Sequence, residues 1–223
     1  MGANAMLTHA EARKFYDRFG LRQDWQRFYE DPAITDLIEH GEVENAHSVV
    51  EFGCGTGRLA ETLLEGHLAS DARYLCLDVS STMVSLSQGR LGRFGSRVSV
   101  LLTDGETKLQ LRSNDFDRFI STYVLDLLSV DDIVSVIAEA HRILCPGGLI
   151  ELVSLTHGAS VLSRLVEKAW MAVYSFRPSM VGGCRPLSLR EFIADPVWNI
   201  KHRRRVSRIG ISSEVLIAQK PER

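Results

Sequence analysis

The short apolar run Ser48-Val-Val-Glu-Phe52 leads without interruption into Gly53-Cys-Gly-Thr-Gly57, and a helical pattern begins at Leu59. Glycine gives up more conformational freedom on folding than any other residue. Three of them at alternate positions therefore mark a turn where side chains would obstruct something. A strand, a tight glycine turn and a helix form the arrangement in which a ligand can approach the backbone and the helix can pack closely on its strand. The start of such a helix also presents N–H groups that have no partner within the helix.

The same alternation recurs along the chain. Tyr74–Asp78, Val98–Leu102, Phe116–Ser121 and Leu149–Leu155 read as further strands, and Leu59–Gly66, Ser81–Leu91 and Val130–Leu144 as helices. Pro146-Gly-Gly148 is the expected stop of the last helix. Strands alternating with helices predict βαβ units and a parallel sheet covered on both faces. After about Gly158 the alternation ends. A helix carrying Leu162, Leu165, Val166, Ala169 and Trp170 is expected, then a short helix from Leu189 to about Ala194 capped by Ser188. Two β-like runs, Val197–Val206 and Ile209–Ala218, meet near Gly210 and predict a terminal hairpin. Before the first strand, residues 9–40 are helical and aromatic, with Pro32 expected in the first turn of a helix that Gly41 stops. At 223 residues, 45% of them hydrophobic, the chain fits one domain with a sizeable core.

Two ligand classes use a strand–glycine–helix turn. Dinucleotides prefer Gly-x-Gly-x-x-Gly, with the pyrophosphate at the helix N-terminus. Here the pattern is Glu-x-Gly-x-Gly-x-Gly, and the acidic Glu51 precedes the loop. A carboxylate repels a phosphate but suits a cationic ligand carrying a sulfonium or an ammonium. A buried carboxylate without a partner is costly, so Glu51 inside an apolar strand calls for a role.

At this point VVEFGCGTGRLAETLL resembles the first motif of the class I, Rossmann-like S-adenosylmethionine-dependent methyltransferases. Further motifs are similar in order: Asp78 at the end of YLCLDVSSTMV, Asp104-Gly105 after the third strand, FDRFISTYVLDLLS, and RILCPGGLIELVS. The similarity runs from about Ser48 to Gln219, with a looser likeness to the quinone-biosynthesis and small-molecule group. It implies a doubly wound α/β fold, with a mostly parallel seven-stranded sheet, helices on both faces and an antiparallel C-terminal strand. Residues 1–46 would form a helical lid, 47–158 the cofactor-binding core, and 159–223 substrate-side helices and the hairpin. It also implies S-adenosyl-L-methionine as cofactor and S-adenosyl-L-homocysteine as product. The implied cofactor contacts are Glu51, Gly53, Cys54, Gly55, Gly57, Asp78, Val79, Met83, Asp104, Gly105, Ser121, Thr122 and the lid residue Tyr16, with Tyr29 as the other lid aromatic. Methyl transfer to a small-molecule acceptor, lipid-like ones included, is the implied function; a non-catalytic binder of the cofactor and a nucleotide-dependent oxidoreductase are the rival readings.

Several residues carry two readings each. Asp78 can cap a helix or bind the ribose hydroxyls, and its place at a strand end favours the ribose. Asp104 can hold a turn, and Met83 can be core. His157 follows the fifth strand at the ligand edge, where an imidazole can act as general base; it can equally be structural. Tyr123 and Asp126 follow the fourth strand and can face an acceptor or serve packing and capping. Lys201-His-Arg-Arg-Arg205 is a basic run, but on a strand its side chains alternate between faces.

Composition limits the alternatives. The formal net charge of −2 provides no global field toward nucleic acid. The four cysteines form no Cys-x-x-Cys pair and fit a reducing, cytoplasmic setting. No metal cluster, signal-like segment or membrane-spanning run is visible. The expected partner is a small molecule, and the sequence leaves the oligomeric state open.

Overall fold

A computed structural model of the chain describes Asp17 and residues 27–222. The lid residue Tyr16 lies outside them, as do Phe15, Phe19 and Trp25 of the aromatic stretch 9–40. The sheet has seven strands: β1 (Ser48–Phe52), β2 (Arg73–Asp78), β3 (Val98–Leu102), β4 (Phe116–Thr122), β5 (Leu144–Leu155), β6 (Asn199–Arg208) and β7 (Ile211–Gln219). Their order is β3-β2-β1-β4-β5-β7-β6. The pairs β2–β3, β1–β2, β1–β4 and β4–β5 are parallel, and β7 runs antiparallel between β5 and β6. This is the parallel sheet covered on both faces that the alternation predicts, in the doubly wound, mostly parallel form that the resemblance implies. Its order reverses between β1 and β4, and ligands of open α/β sheets bind at the carboxyl ends of strands at such a point.

Side-chain alternation sorts the strands into two cores. Val49, Tyr74, Cys76, Ile120, Val153 and Val215 face one side. There they meet Ala33 and Leu37 of α1 (Arg27–His40), Leu59, Ala60 and Leu63 of α2 (Arg58–Gly66), and Leu91 of α3 (Ser81–Leu91). Val50, Leu77, Phe119, Ile150, Leu152 and Leu216 face the other side, against Ile133, Val136, Ile137 and Ala140 of α4 (Val130–Ile143) and against Trp198. Burial on both faces accounts for the near-continuous apolar character of β1, β2 and β4. A fifth helix, α5 (Val161–Phe176), follows β5.

Three sequence expectations change. Pro32 lies inside α1, beyond its first turn, because that helix already includes Arg27. Proline there removes one intrahelical bond, and the burial of Ala33 and Leu37 holds the helix together across it. Pro146-Gly-Gly148 is no loop: α4 ends at Ile143 and β5 starts at Leu144. Phe116 pairs with Leu144 but Arg118 with Leu149, so the Pro-Gly-Gly segment is a bulge within β5. The helix expected after Ser188 is a single 3-10 turn, Leu189–Glu191, without a side-chain cap. The basic run divides as its alternation requires. His202 Nε2 lies 2.7 Å and Arg204 Nη1 2.8 Å from the carboxylate of Asp36 on α1, while Arg203 Nε donates to Glu214 at 2.5 Å. Asp36 is buried, so these contacts fasten α1 to the edge strand.

Candidate functional site

The site grows out of the turn between β1 and α2. Gly53 and Cys54 both donate their N–H to the carbonyl of Leu77 at the end of β2, at 2.8 and 3.0 Å. Gly53 has φ +79°, and a Cβ there would stand 2.3 Å from Val124 Cγ2. Gly57 has φ +76°, and its Cβ would meet Ser87 Oγ at 2.7 Å. Both positions exclude side chains by conformation and by space. Gly57 is also the N-cap of α2 and offers no side-chain cap, whereas α3, α4 and α5 are capped by Ser80, Ser129 and Ser160. The first N–H groups of α2 are thus left for an external acceptor.

Asp78, at the end of β2, organises the other side of the loop. Its Oδ2 accepts the N–H of Gly55 at 2.8 Å and its Oδ1 that of Ser80 at 2.9 Å. Burial pushes this carboxyl up to about 6, opposed by the backbone N–H groups it accepts. Each oxygen keeps a second lone pair for a ligand hydroxyl. Asp17 closes over the start of α3, accepting from Ser80 Oγ at 2.6 Å. Met83 is buried in the first turn of α3, and Val79 is half-buried beside Asp78.

A cavity opens beside the loop, lined by Glu51, Gly53, Cys54, Thr56, Arg58, Leu59, Thr62, Thr122, Tyr123 and, from α1, Glu30 and Ile34. Glu51 is buried in its wall and accepts a hydrogen bond from Tyr74 Oη at 2.9 Å. Burial is the largest influence on its carboxyl and carries it up to about 8; the Tyr74 hydrogen bond opposes this, Asp78 adds to it, and Arg58 opposes it. Arg58, the first residue of α2, reaches α1: its Nη2 lies 3.1 Å from Glu30 Oε2, and its Nη1 binds Asp31. Glu30 is raised to about 7, chiefly by burial. Tyr29 packs edge-on against Tyr123, ring centroids 5.8 Å apart.

The structure brings some of the sequence candidates together and leaves others apart. Glu51, Gly53, Cys54, Thr122 and Tyr123 share the cavity; Gly55, Gly57 and Asp78 lie in or against the same loop. Ser121 faces away, its hydroxyl donating to the carbonyl of Phe52 at 3.1 Å. Asp104 is exposed, its Oδ1 taken by the N–H of Glu106 at 3.0 Å, and with Gly105 it borders a separate shallow depression. His157 is exposed, its Nδ1 is 2.6 Å from Glu167 Oε1, and it does not line the cavity. Tyr123 has φ +56°, an uncommon and costly conformation for a bulky residue. Its hydroxyl contacts Ser213 Oγ at 2.9 Å, and burial raises its pKa well above the tyrosine range. Asp126 is fully buried, its Oδ2 accepting the N–H of Leu155 at 3.1 Å. Burial carries it to about 7, and its Oδ1 has no partner among the described residues. Asp17, Glu30, Ile34 and Arg58 were not among the sequence candidates. Arg58 alone carried a local signal, directly following the glycine loop.

The sheet order and the glycine turn define an α/β domain built to hold a nucleotide-type ligand, with acidic groups ending β1 and β2. Residues 49–148 match the family model of a methyltransferase domain. A demethylmenaquinone methyltransferase of Leptospira interrogans is 29% identical over 142 residues, covering 61% of this chain and 54% of that protein. The tRNA N(3)-cytidine methyltransferase METTL2 of Bos taurus is 26% identical over 133 residues, covering 55% of this chain and 35% of that protein. The chain therefore spans about half the length, or less, of these curated relatives. The solved N-methyltransferase NodS of Bradyrhizobium japonicum WM9, in complex with S-adenosyl-L-homocysteine, shares the fold with a TM-score of 0.70 at 17% identity, covering 95% of this chain and 99% of that one. Residues 49–148 thus resemble a methyltransferase domain of the S-adenosylmethionine-dependent type, on a fold shared with that N-methyltransferase. The residues present fit that cofactor: a buried carboxyl on the cavity wall for a cationic group, a strand-end carboxylate for hydroxyls, and an uncapped helix start.

Proposed function

We propose that this chain transfers the methyl group of S-adenosylmethionine to a small, lipid-like acceptor. The observation that carries this reading is the shared cavity, in which Glu51 and the glycine loop stand opposite Glu30 and Ile34 of α1. When bound, the cofactor supplies a methyl group activated by its sulfonium charge. Glu51 would hold a cationic group of the cofactor, Asp78 its ribose hydroxyls, and Gly53 and Gly55 the close backbone approach. The protein's further task is to align the acceptor and exclude water, and alignment alone can supply on the order of 7–11 kcal/mol. Tyr123 lines the cavity and Tyr29 packs edge-on behind it. Within the cavity, Glu30, raised to about 7, is the carboxyl poised to take up an acceptor proton. It is preferred to His157, which is exposed, contacts Glu167 and does not line the cavity. The partial similarity to a demethylmenaquinone methyltransferase favours an aromatic, apolar acceptor.

The test has two stages. Calorimetry with S-adenosylhomocysteine, NAD and NADP should show binding of the first alone; tight NAD binding with none of S-adenosylhomocysteine overturns the cofactor reading. Radiolabelled methyl transfer would then be measured to reduced naphthoquinones, small amines and tRNA. Label on naphthoquinols supports the acceptor class, and label on tRNA alone refutes it. Cofactor binding without transfer to any of the three favours a non-catalytic binder.

A further inference from the structure

Helix α5 buries one side and leaves an apolar one uncovered. Ser163 and Tyr174 are buried, Val166, Glu167 and Trp170 are half-buried, and Trp170 Nε1 donates to the carbonyl of Cys184 at 2.9 Å. On the opposite side Val161 is 76%, Leu162 61%, Leu165 60% and Phe176 83% exposed, and Ala169, Ala172 and Val173 are exposed with them. At 100° per residue these seven fall on an arc of roughly 120°. A stripe of that width on a soluble helix ordinarily faces a core; here it faces outward.

The β6–β7 turn extends the surface. Gly210 packs on α5, where an added Cβ would stand 2.6 Å from Val166 Cγ2 and 3.5 Å from Leu162 Cγ. Beside it Ile209 is 71% exposed with φ +51°. Two-residue hairpin turns of this type favour Asn or Gly where φ is positive, and a β-branched residue there is a strained outlier. The turn thus tolerates strain to present an apolar tip that is largely exposed among the described residues.

The charges around the stripe are of one sign. Arg164 and Lys168 border it on α5, Arg177 follows its end, and Arg208 precedes Ile209; all four are exposed. None of them is in an ion pair within 4.0 Å among the described residues. From His157 to Arg190 the one acidic residue is Glu167, which is engaged by His157 Nδ1 at 2.6 Å and by the N–H of Gly158 at 2.9 Å. An apolar helix face flanked by cations matches an anionic lipid surface, into which such a helix lies flat. A second copy of the chain fits less well, because two-fold antiparallel pairing sets the Arg164–Lys168 edge against itself.

We propose that α5 and the Ile209 turn dock this protein onto the surface of a bilayer containing anionic lipid. Flotation of the full chain with vesicles should show binding to phosphatidylcholine–phosphatidylserine and not to phosphatidylcholine alone, weakening as salt rises. Leu165→Glu and Phe176→Glu should each lower binding about tenfold. Arg164→Gln combined with Lys168→Gln should lower it roughly thirtyfold. Val134→Glu, on the exposed side of α4, should leave it unchanged. All variants should retain the circular dichroism melt and S-adenosylhomocysteine binding of the parent, since none touches the cavity. Absence of binding to phosphatidylserine vesicles overturns the proposal, as does equal binding by the α5 variants. A dimer in sedimentation equilibrium that Leu165→Glu dissociates would assign the face to a second copy instead.

Discussion

If Glu51 faces the cofactor as proposed, cofactor binding should depend on pH in a way that can be calculated. Its carboxyl stands at about 8 in the ligand-free protein because it is buried, so near neutral pH it holds its proton. A cationic ligand favours the ionised form, and binding must then release that proton. If the ionised form alone binds, affinity follows the ionised fraction, which is about 1% at pH 6 and about 9% at pH 7. The dissociation constant should therefore tighten about ninefold over that unit, close to 1.3 kcal/mol. Asp78, at about 6, contributes less than about twofold over the same interval. Glu51→Gln keeps an acceptor for Tyr74 Oη but has no proton to release. Its affinity should be weaker and vary less than about twofold between pH 6 and 7. Calorimetry in buffers of different ionisation enthalpy counts the protons directly: about 1.0 released per ligand at pH 7 in the parent, of which Asp78 supplies about 0.1, and about 0.1 in the variant. S-adenosylmethionine and S-adenosylhomocysteine should behave alike if Glu51 faces the amino group they share; a proton release confined to the former would place the sulfonium there. Identical pH profiles for parent and variant would refute the reasoning.

Three further outcomes are expected. Asp78→Ala removes the acceptor of the Gly55 and Ser80 N–H groups and should weaken cofactor binding by about 1.5–3 kcal/mol per lost charged bond; an unchanged dissociation constant by calorimetry removes Asp78 from the site. Burial raises Asp126 from the usual aspartate range to about 7, so the folded state retains its proton. The associated stability is fully present below about pH 4 and is lost as pH rises through about 7. Asp126→Asn should therefore gain stability relative to the parent between about pH 5 and pH 8, by a few kcal/mol at most, and parallel denaturant titrations showing no pH-dependent difference would contradict this. Asp36→Ala should cost about 2 kcal/mol by releasing His202 and Arg204, without altering cofactor affinity; a loss of affinity at unchanged stability would show that Asp36 acts on the site.

Much of this architecture could be read from residue order because burial on both faces and glycine geometry leave local marks. β1, β3 and α3 have the boundaries their patterns predict. Errors arose where tertiary packing overrode local punctuation. Pro32 sits within α1 because Ala33 and Leu37 are buried, and Pro146-Gly-Gly148 is absorbed as a bulge because α4 passes directly into β5. The loop half of the candidate site was legible because Glu51, the glycines and Asp78 lie at strand ends. The other half was not: Glu30 and Asp17 arrive from far upstream in the chain, and nothing local in a helix announces which residues will roof a cavity. His157 shows the converse, since a position at the ligand edge does not fix which way a side chain turns.

Arg58 belongs to two structures at once. It starts the helix whose N–H groups face the glycine loop, and it binds the carboxylates of Glu30 and Asp31 on the helix that roofs the cavity. Whatever repositions α1 must alter the electrostatics at the loop, and a ligand at the loop must bias where α1 rests. Such coupling is reciprocal: an acceptor that improves cofactor affinity by some factor has its own affinity improved by that same factor. On the proposed function, one guanidinium would let the two substrates sense each other's presence through its ion pairs with Glu30 and Asp31.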